Sequence, residues 1–327
     1  TGFTHYDQSP FYERAFVWDA VNGMQDIGTL GGSYSEGNGI NVHGQITGWS
    51  ESSSGEPHGF VWDVVNGMQD IGTLGSVSRD VSRGYAINDN GQVTGYSYPS
   101  TGGTHAFVWD VVNGMQDIGT LGGGFSSGQA INSSGQVVGT STLATGGTRA
   151  FLWDPIDGMQ NLGTLGGGNS FGEGINSSGK VVGNGFTSTD PSGTHAFIWD
   201  SVNGIRNLCE ISDCTSAGWT RLSATGINNN GDIVGGGTTA NGDWHAIIAV
   251  YNNPTITISI DIKPKDEINS INPESLGLIP VAVLTTGDFD ALLVNPDTVE
   301  FGPANAVKVH SQAHVEEVDK EGDKDIL

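Results

Sequence analysis

The sequence predicts an all-β fold, a β-propeller of tandem blades followed by a small second β module, and three observations carry that reading. The pair Trp-Asp recurs at Trp18-Asp19, Trp62-Asp63, Trp109-Asp110, Trp153-Asp154 and Trp199-Asp200, in steps of 44, 47, 44 and 46 residues. A period of this length marks one supersecondary unit per repeat. Each unit divides into four strand-like segments. The 52 glycines and only 15% charged residues suit a chain of many short strands and tight turns.

In the repeat chosen for reference the four segments are GQAIN (128–132), QVVGTST (136–142), TRAFLWD (148–154) and GMQNLGTL (158–165). Four strands in about 45 residues make one propeller blade. The first and second meet at Asn-x-x-Gly, as in Asn41/Gly44, Asn88/Gly91, Asn132/Gly135, Asn176/Gly179 and Asn228/Gly231, a tight hairpin signal. Asn-Gly or Asp-Gly turns the third into the fourth. Along AFVWD, phenylalanine and tryptophan point one way and alanine and valine the other, with no charge on either side. Both faces are therefore expected to be covered by neighbouring blades, which makes Trp-Asp first a packing device.

The chain supplies an incomplete first blade (1–30), four complete ones (37–74, 83–121, 128–165, 172–208) and a degenerate last one (224–250). That gives six blades, with five and seven left open. The opening TGFTHYD matches a second strand, VTGYS at 93–97, so the first blade lacks its innermost strand and offers an open edge. No initiator methionine or signal peptide is present, and the sequence reads as part of a longer precursor.

The triplets His105-Ala106-Phe107 and His195-Ala196-Phe197, with variants at 14–16, 58–60, 149–151 and 245–247, resemble the HAF repeats of extracellular bacterial proteins. HAF, WD, NGMQDIGTL and INxxGQVVG recur in order across residues 1–251. The resemblance implies a secreted propeller-like array without a defined activity.

From residue 252 onward the pattern changes to β-branched runs bounded by proline, glycine and asparagine: TITISIDIKP, SINPESLGLIPVAVLTT and FDALLVNPDTVEFGP. These read as strands of a small sandwich-like module over 252–327. The segment resembles a module appended to secreted bacterial proteins, whose end carries an acidic, glycine-containing motif. Asp319, Glu321, Asp323 and Asp325 stand there around Gly322, either as oxygen ligands for calcium or as a solvated acidic tail.

Twelve basic against thirty-six acidic residues give a formal charge of −24, which repels nucleic acid and anionic membrane and attracts cations. No apolar run reaches the roughly 20 residues that span a bilayer, so no membrane insertion is expected. The two cysteines, Cys209 and Cys214, share one short loop with no zinc-finger partner nearby. A disulfide is expected, and with it an oxidising, extracellular compartment.

No Gly-x-Ser-x-Gly elbow, His-Glu-x-x-His helix or phosphate-binding loop is present. The segments between blades, taken as loops at 31–38, 75–84, 122–128, 166–173 and 209–224, hold most of what is not repeated: Tyr34, Glu36, Arg79, Asp80, Arg83, Phe125, Phe171, Glu173, Trp219 and Arg221. Arg79, Asp80, Arg83, Trp219 and Arg221 are the expected ligand-binding residues. The histidines at 58, 105, 195 and 245 are replaced elsewhere by Arg14 and Arg149, so the position asks only for a polar group. The function expected is a non-catalytic secreted scaffold in adhesion or self-assembly, its partners copies of itself or a cell-surface or matrix component. The alternative is a carbohydrate-binding or carbohydrate-active protein that uses Glu36 and Glu173.

Overall fold

The computed structural model describes residues 13–76, 78–211, 214 and 218–250 with their side chains, and the backbone of five further short strands. The chain divides into two compact units, Thr1–Tyr251 and Asn252–Leu327. Among its described residues the first is all-β apart from one turn of helix, Leu208–Ile211.

Four sheets of four antiparallel strands follow one another in chain order. They comprise β4 to β7 (Gly31–Ile40, Ile46–Ser52, Pro57–Asp63, Gly67–Asp70) and β8 to β11 (Ser82–Ile87, Val93–Ser97, His105–Asp110, Gly114–Asp117). Next come β12 to β15 (Gly122–Ile131, Val137–Leu143, Thr148–Asp154, Gly158–Asn161) and β16 to β19 (Gly166–Ile175, Val181–Thr187, Thr194–Asp200, Gly204–Asn207). Three-stranded sheets flank them. Ahead lie β1 to β3 (Gly2–His5, Glu13–Asp19, Gly23–Asp26), and behind lie β20 to β22 (Trp219–Ile227, Ile233–Thr239, Trp244–Ala249). Gly2 pairs with Phe16 as Gly95 pairs with Phe107, so β1 is a second strand by register, as the match to VTGYS predicts.

Successive sheets stack face to face. Ala106, Val108 and Ile118 of one sheet pack with Ile131, Val137 and Phe151 of the next, while Phe107 turns back among Val61, Ile71, Ile87 and Val93. The period-two alternation of AFVWD thus feeds two different cores. Phe60, Phe107, Phe151 and Phe197 are fully buried, each contributing about 1.5–3 kcal/mol of transfer free energy. First strands of neighbouring sheets approach one another more closely than fourth strands do, so the sheets fan outward in the manner of propeller blades.

Polar pins fix the stacking. Asn132 closes its own hairpin by accepting from the backbone N–H groups of Ser134 and Gln136, both at 3.0 Å. Its amide also donates across to the carbonyl of Asn176, 3.1 Å away in the following sheet. Asn41, Asn88 and Asn176 make the same crossing to Asn88, Asn132 and Asn228. A fully buried serine adds a second crossing: Ser126 accepts from the Ala106 N–H of the preceding sheet at 2.8 Å and donates to the Gly119 carbonyl. Ser35, Ser82 and Ser170 repeat it.

The aspartate of Trp-Asp is a turn device. Asp110 accepts from the N–H groups of Val112 and Asn113, both at 2.8 Å, which leaves Val111 and Val112 in solvent. Three connections placed by the sequence at 31–38, 122–128 and 166–173 are strand instead, inside β4, β12 and β16. The reason is local. Gly31 turns the chain at φ 106°, and a Cβ on Gly32 would sit 2.4 Å from that of Glu51, so only glycine keeps the backbone close enough for pairing to continue through a bulge. The segment expected at 209–224 likewise holds strand β20 from Trp219 onward.

In the second unit the described strands form one antiparallel sheet, ordered Ile260–Ile262 (β23), Val281–Val283 (β24), Asp325–Ile326 (β26) and Val315–Glu316 (β25). Asp325 lies in β26 opposite Glu316. Asp319, Glu321 and Asp323 lie outside the described residues.

Candidate functional site

Along each first strand, constant small residues alternate with variable ones. The variable residues meet variable partners on the second strand: Glu36 pairs with Trp49, Arg83 with Tyr96, Ser127 with Thr140, Phe171 with Asn184, and Ser223 with Gly236. In β4, β8, β12 and β16 the flanking serine and glycine are held by the inter-sheet pins and by close backbone contact, so diversity there is confined to one side of the strand. A bulge one step further inserts another variable residue, among them Tyr85, Gln129 and Glu173.

In the sheets β8–β11, β12–β15 and β16–β19 these positions line an open cleft of about 540 Å³. Its walls include Tyr85, Tyr96, Tyr98, Phe125, Phe171 and Glu173, with Gln129, Thr140 and Thr148 supplying hydrogen-bonding groups. Tyr96 leans against Tyr85 at 5.7 Å and meets Tyr98 edge-on at 6.1 Å. Burial pushes the Tyr85 hydroxyl up to about 12, helped by the neighbouring Tyr96, and raises Tyr96 as well. Both stay neutral donors at physiological pH. Burial also raises the carboxyl of Glu173, the only carboxylate among the lining residues.

Beside the cleft, Arg83 stacks its guanidinium 4.0 Å over Trp49, which in turn stacks on Tyr34 at 4.6 Å. Glu36 accepts from the Trp49 indole at 3.1 Å. Glu36 and Glu173 therefore occupy different register positions, one opposite Trp49 and the other in a bulge, and belong to separate surroundings.

The five ligand-binding residues expected from sequence separate into two sets. Arg83 and Arg79 border the aromatic wall, Arg79 lying 5.1 Å from the Tyr98 ring. The other three make contacts within the array. Asp80 accepts from Thr73 at 2.6 Å, and its carbonyl faces His58 at 3.0 Å. Trp219 packs on the core of the last two sheets and meets His245 edge-on. Arg221 holds Asp190 at 2.5 Å, and Ser192, Arg221 and His195 together keep that carboxyl well below its ordinary value.

Three of the four recurring histidines pair with acids: His58 with Asp70 at 2.7 Å, His105 with Asp117 at 2.8 Å, and His195 with Asp190 at 3.2 Å. Where Asn161 stands at the position of Asp70 and Asp117, Arg149 stands in place of histidine and donates to the Gly168 carbonyl instead. Cys209 and Cys214 form the expected disulfide.

Tyr85 and Tyr96 lie inside strands β8 and β9, and Tyr98 directly follows β9, so none of the three falls in a segment that the sequence marks as a loop between blades. The signal was present: Trp49, Tyr96, Thr140, Asn184 and Gly236 form a column of the second strand that differs in all five copies, beside a glycine that is the same in all. Among the described residues no group of three or more histidine, cysteine or acidic side chains could hold a metal ion. No described helix is long and apolar enough to cross a membrane.

The arrangement defines a class of molecule, a tandem array of propeller-type sheets whose unrepeated residues gather in an aromatic cleft. No protein-family model and no curated protein matches the chain. Solved structures give weak likenesses. TolB from Acinetobacter baumannii aligns with 58% of this chain, at 14% identity and a TM-score of 0.40, and the chain spans less than half, 46%, of that protein. XC5397 from Xanthomonas campestris, a gluconolactonase, aligns with 72% of this chain and 79% of its own at 8% identity and TM-score 0.40. AofleA from Arthrobotrys oligospora gives 73% and 76% at 13% identity and TM-score 0.39.

Proposed function

We propose that this protein is a non-catalytic, secreted propeller whose six sheets are six blades, with residues 252–327 as a sandwich-like appendage. It serves as an extracellular scaffold in adhesion, holding a neutral saccharide of a cell-surface or matrix component in the aromatic cleft. One observation supports this reading above others: blades that are near-identical elsewhere diverge together at the positions that line the cleft. Exposed ring faces with a few hydroxyl and amide groups suit a polyhydroxylated ring, apolar on its faces and polar at its rim. The surplus of acidic residues disfavours an anionic ligand.

A single carboxylate in the cleft supports binding more than glycoside hydrolysis, which ordinarily requires two in facing positions. The disulfide supports an oxidising, extracellular compartment. Asp319, Glu321, Asp323 and Asp325 are proposed as calcium ligands that steady the appendage; a chelator should then lower its melting temperature, and an unchanged one removes calcium from the account.

Calorimetric titration against a panel of neutral polysaccharides tests the cleft. Tyr96→Ala and Phe171→Ala should each weaken the best ligand by about tenfold or more, equivalent to about 1.4 kcal/mol. Equal affinity in wild type and both variants, or no binding across the panel, would overturn the proposal.

A further inference from the structure

Three arginines of the array meet acceptors of their own chain. Arg206 pairs with Asp200 at 2.7 Å, Arg221 pairs with Asp190, and Arg149 donates to the carbonyls of Thr148 and Gly168 at 2.9 and 2.6 Å. Arg83 departs from this pattern. Among the described residues it makes no hydrogen bond and no ion pair, and its buried Nε is left without a partner. What holds it is the Trp49 ring, 4.0 Å from the guanidinium. Glu36, on the same indole, takes the Trp49 N–H at 3.1 Å and the Tyr34 hydroxyl at 3.4 Å instead.

An unpaired buried donor is costly, and a chain with thirty-six acidic residues against twelve basic ones has partners in plenty. The stack on Trp49 fixes the guanidinium in one plane and leaves its terminal N–H groups as a rigid fork of donors on a half-buried side chain. Such a fork matches two oxygens side by side, as in a carboxylate or in neighbouring hydroxyls of a sugar. Its place is equally specific. Arg83 stands opposite Tyr96 in the register of β8 and β9, and Tyr96 lines the cleft whereas Arg83 lies just outside it, against the preceding sheet. Glu36, Ser127 and Phe171 fill the same column in the neighbouring sheets, so the fork marks one end of the cleft only.

We infer that Arg83 forms a further subsite at that end of the cleft, where it donates to two adjacent hydroxyls on the next unit of a saccharide chain. The inference rests on the saccharide reading of the cleft and adds that the ligand is a chain of several units, running from Phe171 and Glu173 past the tyrosines to Arg83. A single ring held in the cleft would leave the fork unused, because Arg83 is not among the residues that line it. Hydroxyls fit better than a carboxylate, since Glu36 on the same indole and the acidic surplus of the whole chain oppose a further negative charge there.

Calorimetric titration of the full chain with gluco-, manno-, xylo- and galacto-oligosaccharides of increasing length provides the test. In the series that binds, wild-type affinity should rise with length. Arg83→Gln should lose roughly tenfold for the longer members and less than about twofold for the shortest one that binds, whereas Tyr96→Ala should weaken every length. Arg83→Lys keeps the charge without the planar fork and should behave like Arg83→Gln. The corresponding uronic-acid oligomers should bind more weakly than the neutral ones. Affinities independent of length, a uniform loss at all lengths in both Arg83 variants, a lysine variant equal to wild type, or tighter binding of the uronic-acid oligomers would each overturn the subsite and leave the cleft standing. A wild type that binds none of the series removes the cleft reading itself and the subsite with it.

Discussion

Glu173 shows what a single side chain contributes when its neighbours take it out of water. Burial raises its carboxyl above the ordinary value, so the folded state binds a proton that the unfolded chain has already released. Stability at this site is therefore full below the unfolded value and declines as pH rises through the folded one. Glu173→Gln removes that decline. The variant should melt above wild type at pH 7, with the gap closing toward pH 4, and an equal gap at both values would show that the charge is not the cause. Asp190 runs the other way: its lowered carboxyl stabilises the fold above its unfolded value, and the effect is lost on acidification. Phe125 and Phe171 stood out in the sequence, but Tyr85 and Tyr96 of the same cleft were hidden because a tyrosine inside a strand is ordinarily a core residue. Column comparison among repeats, rather than residue type, is the readable signal.

At the scale of the element, the hairpin asparagine does two jobs with one side chain. Its oxygen closes the turn, which the Asn-x-x-Gly pattern predicts, and its nitrogen reaches the next sheet, which no local pattern predicts. Asn132→Ala should destabilise the chain by roughly 2–3 kcal/mol, as expected for buried partners left unpaired. Asn132→Asp separates the roles. It keeps the turn acceptor but sets an oxygen against the Asn176 carbonyl, so its urea midpoint should fall at least as far as that of the alanine variant. A midpoint near wild type would mean that the turn alone matters. The first strands teach a related lesson: Gly-Gly runs read as loops by composition, yet the glycines serve close strand pairing through a bulge.

For the whole molecule, the stacked cores make each sheet depend on its neighbours. The Cys209–Cys214 bridge stands in the segment between the last two sheets, where Cys214 joins their shared core. Closing so short a loop contributes about 2 kcal/mol. Reduction should accordingly lower the unfolding free energy by about that amount, with amide protection lost first in β20–β22 and retained in β8–β15. Uniform loss of protection across all sheets would count against this graded arrangement.

The repeat period, the four strands of each unit, their turns and the disulfide were legible in the amino-acid sequence alone, because each follows from local geometry: alternation along a strand, positive φ at a hairpin, proximity of two cysteines. The asparagine and serine crossings, the strand character of the glycine runs and the gathering of unrepeated rings into one cleft were decided only by tertiary structure. They depend on which sheet faces which, and that arises when residues some 44 to 52 positions apart are brought within hydrogen-bonding distance.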